Sequence, residues 1–441
     1  MFMYHFLAVL LAVSSTAFAQ DNPKCQGLRT RRSAHSLSPE DWQRIGDVLS
    51  KLHEDGVISR FAKSHQALFE QVHGATAFFP FHRRFVLELE NMGREIDPEF
   101  TVPFWDSTLD YDNPAGSPVL RRESIGGNGS GPDRCQLEGI QGDWTMDFPD
   151  RHCLRRDFNQ GDSIEPWVPA EVISSYIQSD SRLSRFGEHI EYGIHGVVHL
   201  GLGGDAATRY APNDFFFFMH HANIDRLWWL WQNSAGSMLA YDGNGPNGEA
   251  TLEDPMPQTG DVDLGGGSVR SAMVIGYNGM CYTYDSVPDP PSQYPGDGNN
   301  SDNNNGNGNG NGNGDDSDPN REINNRKMQI FSGSSNSAGN AKEMIRIRQA
   351  FAQQDMLRDY FPRSALLGVP TREEIMVQFT NSTTGPPCEC GAPRRILSYP
   401  ARMSRMWIDM HGFNNTLVEQ VYQEACHLID LLNNSSYSSP Y

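Results

Sequence analysis

The chain has 441 residues, 38% of them apolar and 10% aromatic, which is enough for one large globular domain or two ordinary ones. Its formal net charge of −20 provides no basic footprint for nucleic-acid phosphates or for an anionic membrane surface, and argues against both as partners.

The N-terminus, MFMYHFLAVLLAVSSTAFAQ, has a short apolar run and a small-x-small site at Ala17-Phe18-Ala19. This pattern predicts a signal peptide over residues 1–19 and a secreted, extracellular mature chain. Seven cysteines fit an oxidising compartment, although an odd number cannot all pair within one chain. Asn-x-Ser/Thr sequons beginning at Asn128, Asn299, Asn381, Asn414, Asn433 and Asn434 predict a glycoprotein.

Residues 20–294 read as one large, mainly α region with long loops. Ser38-Pro39-Glu40-Asp41 is a helix start, with Ser as N-cap, Pro at the first helical position and acids in the first turn. A second helix is predicted up to Gly74, and a third from about Pro80 to Gly93. Residues 107–169 are rich in Gly, Pro, Asp and Asn and read as loops. Helical pattern returns near Glu188 and again over residues 213–232, NDFFFFMHHANIDRLWWLWQ. Residues 295–321 contain a Gly/Asn/Asp repeat that cannot bury enough apolar surface to fold, and predict a flexible linker. Residues 322–441 form a smaller C-terminal region of unknown role, with helical segments but no evident chemistry.

The histidines are clustered. His65, His73 and His82 lie on two consecutive predicted helices that can pack together. His195 and His199 are at i and i+4 and therefore share a helix face. His220 or His221 from the aromatic helix can complete a second group of three. A single histidine on an apolar face is ordinarily a hydrogen-bonded core residue, but two groups of three are hard to obtain from packing alone. Structural zinc favours cysteine, and non-haem iron commonly adds a carboxylate, whereas all-imidazole sites with open positions suit copper. Two such sites facing one another would take O2 between the metals.

The segments HGATAFFPFHRRFVLELE, VPFWDSTLD, HGVVHLGLGG and NDFFFFMHHANIDRLWWLWQ resemble the signatures of the tyrosinase family of type-3 dicopper proteins, which includes catechol oxidases and haemocyanins. The resemblance implies a four-helix bundle core in residues 20–294 holding two copper ions. CuA would take His65, His73 and His82, and CuB His195, His199 and His221, because the family uses the second histidine of the pair. His53 is the competing first ligand of CuA, and the helix RFAKSH favours His65. Asp225 is expected to accept a hydrogen bond from a ligand imidazole, the alternative being an ordinary salt bridge with a nearby arginine. The implied activity is oxidation of phenols and catechols to o-quinones with O2. The alternatives are catechol oxidation alone, or an oxygen-binding or structural matrix protein of the same fold. The Gly/Asn repeat also resembles tracts of molluscan shell-matrix proteins, and with it comes an expectation of extracellular-matrix contact through the linker.

Two departures from the family pattern are visible. Many relatives join a cysteine to the second CuA histidine, but none lies between Cys25 and Cys135. Several relatives carry Asn after the first CuB histidine, where it helps a glutamate deprotonate a monophenol. Gly196 stands there instead, with Glu191 as the candidate proton acceptor, and the pair is expected to tune hydroxylation against diphenol oxidation.

Overall fold

A computed structural model of the chain describes residues 22–285, 287–295, 396–434 and 439. The expected signal peptide, almost all of the Gly/Asn-rich segment and residues 322–395 of the C-terminal region lie outside the described residues. The described fold is mainly α, with three short two-stranded sheets.

Helix α1 (Pro39–Glu54) starts as its sequence dictates. The Ser38 hydroxyl accepts from the Asp41 amide, and the Asp41 carboxylate accepts in return from the Ser38 amide. Gly56 follows with φ of +70°, a left-handed conformation that only glycine adopts without steric cost. It turns the chain into α2 (Val57–Val72). Helix α3 (Phe78–Arg94) begins two residues before the expected Pro80. The proline sits in the first turn, where a missing N–H leaves no helical bond unmade.

The loop-like region 107–169 contains only short 3-10 turns and one two-stranded hairpin, tied by the disulfide Cys135–Cys153. Helix α4 (Ala170–Ser179), absent from the sequence reading, then buries Val172, Ile173, Tyr176 and Ile177. Helix α5 (Leu183–Ile190) begins before Glu188 and runs into a π-helical turn, Glu191–His195, which continues as α6 (Gly196–Leu202). Helix α7 (Phe216–Gln232) is buried along its whole length, so its phenylalanines and tryptophans form the centre of the core.

Two helices follow the undescribed segment, the short α8 (Arg405–His411) and the longer α9 (Asn415–Asn434). Val421, Ala425, Leu428, Ile429 and Leu432 of α9 belong to the same hydrophobic core as the preceding helices. Glu424 of α9 accepts from Arg185 at 3.0 Å and pairs with His189 at 3.0 Å, both on α5.

The ends of the large region meet. Strand Arg29–Arg31 pairs in parallel with Tyr282–Tyr284, and Cys25 is bonded to Cys281 beside them. Here Asp225 of α7 is the centre of a buried ionic cluster. It accepts from Arg83 Nε at 2.5 Å, and from the hydroxyls of Tyr282 and Tyr284 at 2.6 Å each. Arg31 donates to it at 3.4 Å and makes a two-pronged bond to Glu90 at 2.9 Å. The expectation that Asp225 serves a ligand imidazole is therefore corrected in favour of the arginine pairing: its oxygens are taken by two guanidinium groups and two tyrosine hydroxyls, and neither ring nitrogen of His221 meets a hydrogen-bond partner.

Breaking a buried pair by removing one partner costs about 3–5 kcal/mol, because the remaining charge is left uncompensated. Asp225→Asn is expected to lower the unfolding free energy of the metal-free protein, read from urea denaturation, by that order. Tyr282→Phe, which removes a single hydrogen bond, should cost about 1 kcal/mol.

Candidate metal centre

Six histidines converge from four helices and the turns that adjoin them. His65 comes from α2, while His73 is the C-cap residue of that helix, with φ −123° and ψ 142°. His82 is in the second turn of α3, His195 closes the π-helical turn, His199 lies on α6 and His221 on α7. His65, His73 and His82 form one group and His195, His199 and His221 another, with the candidate donor atoms of each group within 4.8 Å of one another. All six are buried.

The two groups face each other. The His82 and His221 rings stack at 4.0 Å, and His73 lies 5.8 Å from His195. His53 lies elsewhere, stacked on Trp144 at 4.2 Å. His220 stacks on Phe216 at 5.4 Å, and its ring is 5.0 Å from that of His199, so it lines the second group without completing it.

Backbone carbonyls hold four of the rings. His65 Nδ1 donates to Arg209 O at 2.7 Å, His73 Nδ1 to Phe69 O at 3.0 Å, His82 Nδ1 to Phe78 O at 2.7 Å and His199 Nδ1 to Ala206 O at 2.6 Å. A carbonyl only accepts, so each Nδ1 carries the proton and each Nε2 a lone pair. Among the described residues, the buried Nε2 atoms of His65, His82 and His199 meet no hydrogen-bond partner, and neither ring nitrogen of His195 or His221 does. Buried polar atoms are normally satisfied, so this many lone pairs aimed into two small volumes fit metal ions. The donor set is imidazole alone, which suits copper better than structural zinc.

Burial holds these rings neutral. It lowers the His65 pKa to about 3 and that of His199 to about 4, and pushes His73, His82, His195 and His221 well below the usual value. Neutral imidazole is the form that binds a metal.

Glu191 is buried at the start of the π-helical turn, and both its oxygens accept from the Gly74 amide, at 3.0 and 3.1 Å. Burial raises its pKa to about 8. It borders a cavity of about 120 Å³ that is also lined by Gly74, Thr76, Ser184 and Tyr192. Gly196 has no room for a side chain as packed: a Cβ there would lie 2.4 Å from Met403 Cε and 3.1 Å from Trp407 Nε1.

That contact exposes what the sequence reading missed. Trp407 and His411 of the C-terminal region lie against the histidines, 5.4 Å from His199 and 5.0 Å from His73, and Met403 lies beside Gly196. The available signal was faint: a Trp and a His at i and i+4 on one face of a short helix in a region otherwise without chemistry.

Residues 47–234 match the family model described as the common central domain of tyrosinase. The tyrosinase ustQ of Aspergillus flavus is 29% identical over 306 residues, covering 62% of this chain and 84% of that protein. A tyrosinase of Streptomyces antibioticus is 29% identical over 260 residues, covering 53% of this chain and 94% of that one. A solved polyphenol oxidase variant from Thermothelomyces thermophila superimposes with a TM-score of 0.46 at 20% identity, covering 58% of this chain and 89% of that one.

The buried histidines also set an acid limit for the metal-free chain. Their folded pKa values lie below the unfolded value of about 6.5, so the unfolded state binds more protons and stability is lost as the pH is lowered. Glu191 acts in the opposite sense between about 4.5 and about 8, but it is one group against six. Urea midpoints of the metal-free protein should therefore drop progressively between about pH 6.5 and about pH 4.

Proposed function

The chain belongs to the tyrosinase family of type-3 dicopper proteins, and on that premise we propose that it is a secreted dicopper oxidase converting phenols and catechols to o-quinones with O2. The observation that carries this reading is the pair of facing, buried three-imidazole groups with unpartnered nitrogens. The helices that hold them form the four-helix bundle core. His65, His73 and His82 would hold CuA, and His195, His199 and His221 CuB. When bound, the coppers supply Lewis acidity and the redox chemistry with O2.

The chain's own part is to place and protect. The carbonyl bonds to Nδ1 fix which nitrogen of each ring is free. Phe78 and Phe217 pack against the His221 ring at 5.9 and 4.3 Å and surround it with apolar surface. Glu191, held on the amide that follows His73, can exchange a proton there, since its pKa near 8 lies close to the working pH of a general base. Gly196 provides no amide to position a water beside it. That observation favours a second reading, catechol oxidation with weak monophenol hydroxylation.

Two disulfides among the described residues fit an oxidising compartment, and support residues 1–19 as a signal peptide. No helix of the described residues is long and apolar enough to cross a membrane. The Gly/Asn-rich segment 295–321 is proposed as a spacer that can also contact extracellular matrix.

The copper-loaded protein should hold two metals per chain, magnetically coupled and without an ordinary Cu(II) EPR signal. His82→Ala and His199→Ala should each lose one metal and all oxidation, while His220→Ala retains both. One metal per chain, or a preference for zinc, would sink the dicopper reading.

The second reading has its own measurement. L-DOPA should be oxidised much faster than L-tyrosine, which should show a lag. Glu191→Gln should slow the monophenol and spare the diphenol. Gly196→Asn, which must displace the flexible end of Met403, should raise the monophenol rate selectively. Equal effects on both substrates would place proton removal elsewhere.

A further inference from the structure

The C-terminal region adds an imidazole that the six-histidine description does not use. His411, the last residue of α8, is 7% exposed. Its ring lies 5.0 Å from His73, almost perpendicular to it, and 6.3 Å from His195. It therefore stands beside one member of each triad, where the two groups meet.

Its hydrogen bonding repeats that of the triads. His411 Nδ1 donates to Trp407 O at 2.9 Å, as His65, His82 and His199 donate to carbonyls of their own. That bond fixes the proton on Nδ1 and leaves a lone pair on Nε2. Among the described residues the buried Nε2 meets no hydrogen-bond partner. The ring is held by Trp407 at 4.0 Å, Phe69 at 4.6 Å and Phe413 at 4.8 Å. A histidine that merely filled space would gain nothing from a pinned tautomer and a buried lone pair, and a phenylalanine would pack there at lower cost of desolvation.

We propose that His411 is a seventh imidazole of the metal pair, a removable donor that the C-terminal segment presents between His73 and His195. It would compete there with oxygen-bearing or anionic ligands for an open coordination position. The proposal rests on the dicopper reading above. It differs from simple obstruction, such as the Met403 methyl and the Trp407 indole provide around Gly196.

The experiment uses the full chain loaded with copper, and compares the natural protein with His411→Phe and His411→Ala. Phenylalanine keeps the bulk of the ring and removes the nitrogen, whereas alanine removes both. The readouts are metal content, azide affinity from the charge-transfer absorption, and the rate of copper loss to a chelator. Near-ultraviolet circular dichroism establishes that each variant is folded. Both variants should bind azide about tenfold more tightly and lose copper about tenfold faster, the lower end of the effect expected when a partner of a metal site is removed. If His411→Phe matches the natural protein in both measurements, and only His411→Ala gains azide affinity, the residue is a steric cover and the inference is overturned. A natural chain that fails to hold two coppers overturns the dicopper reading and this inference with it. Two coppers with an indifferent His411→Phe overturn the inference alone.

Discussion

The bond between Arg83 and Asp225 sets the geometry on which the centre depends. Arg83 follows His82 directly on α3, and Asp225 comes four residues after His221 on α7. An ion pair at 2.5 Å between these helices, with Tyr282, Tyr284 and Arg31 closing the cluster, fixes how α3 and α7 lie against each other. The stacking of His82 on His221 at 4.0 Å follows from that register. Two buried charges are costly to desolvate and repay it only in good geometry, so the cluster favours one helix alignment over its neighbours. A metal pair shared between two helices requires such alignment.

The rest of the scaffold holds single rings rather than helices. Carbonyls at Phe69, Phe78, Ala206 and Arg209 aim four imidazoles, and three of them lie within a few residues of the ring they hold. The exception is Arg209, which reaches across from the segment between α6 and α7 to His65. The π-helical turn has a similar local purpose. Its additional residue, with Gly193 at φ −112° and ψ −111°, breaks the regular rotation between Glu191 and His195. The carboxyl group can then reach the Gly74 amide while the imidazole faces the other triad.

Legibility in the sequence follows the range of each interaction. The start of α1 could be read because Ser38 and Asp41 bond to each other. The shared position of His195 and His199 could be read because four residues make about one helical turn. His221 could be distinguished from His220 only through the family resemblance, since both are buried on the same helix. Asp225 was misread because its partners, Arg31, Tyr282 and Tyr284, are far away in the chain and bear no periodic relation to it. Helix α4 was missed because its apolar residues follow a long run of Gly, Pro and Asp and lack an N-cap side chain. His411 was invisible for the same reason as Asp225: its significance comes from a fold contact, not from its neighbours in sequence.

The meeting of the strand Arg29–Arg31 with Tyr282–Tyr284, sealed by Cys25–Cys281, has an architectural consequence. The large region is entered and left at one place on its surface. What precedes it is attached at that point alone, whereas α8 and α9 beyond it return to pack on its core. A pull on the N-terminal flank is borne by the strand pair and the disulfide before it reaches the helices that carry the histidines. A new segment can therefore be joined ahead of the first strand without disturbing the interior.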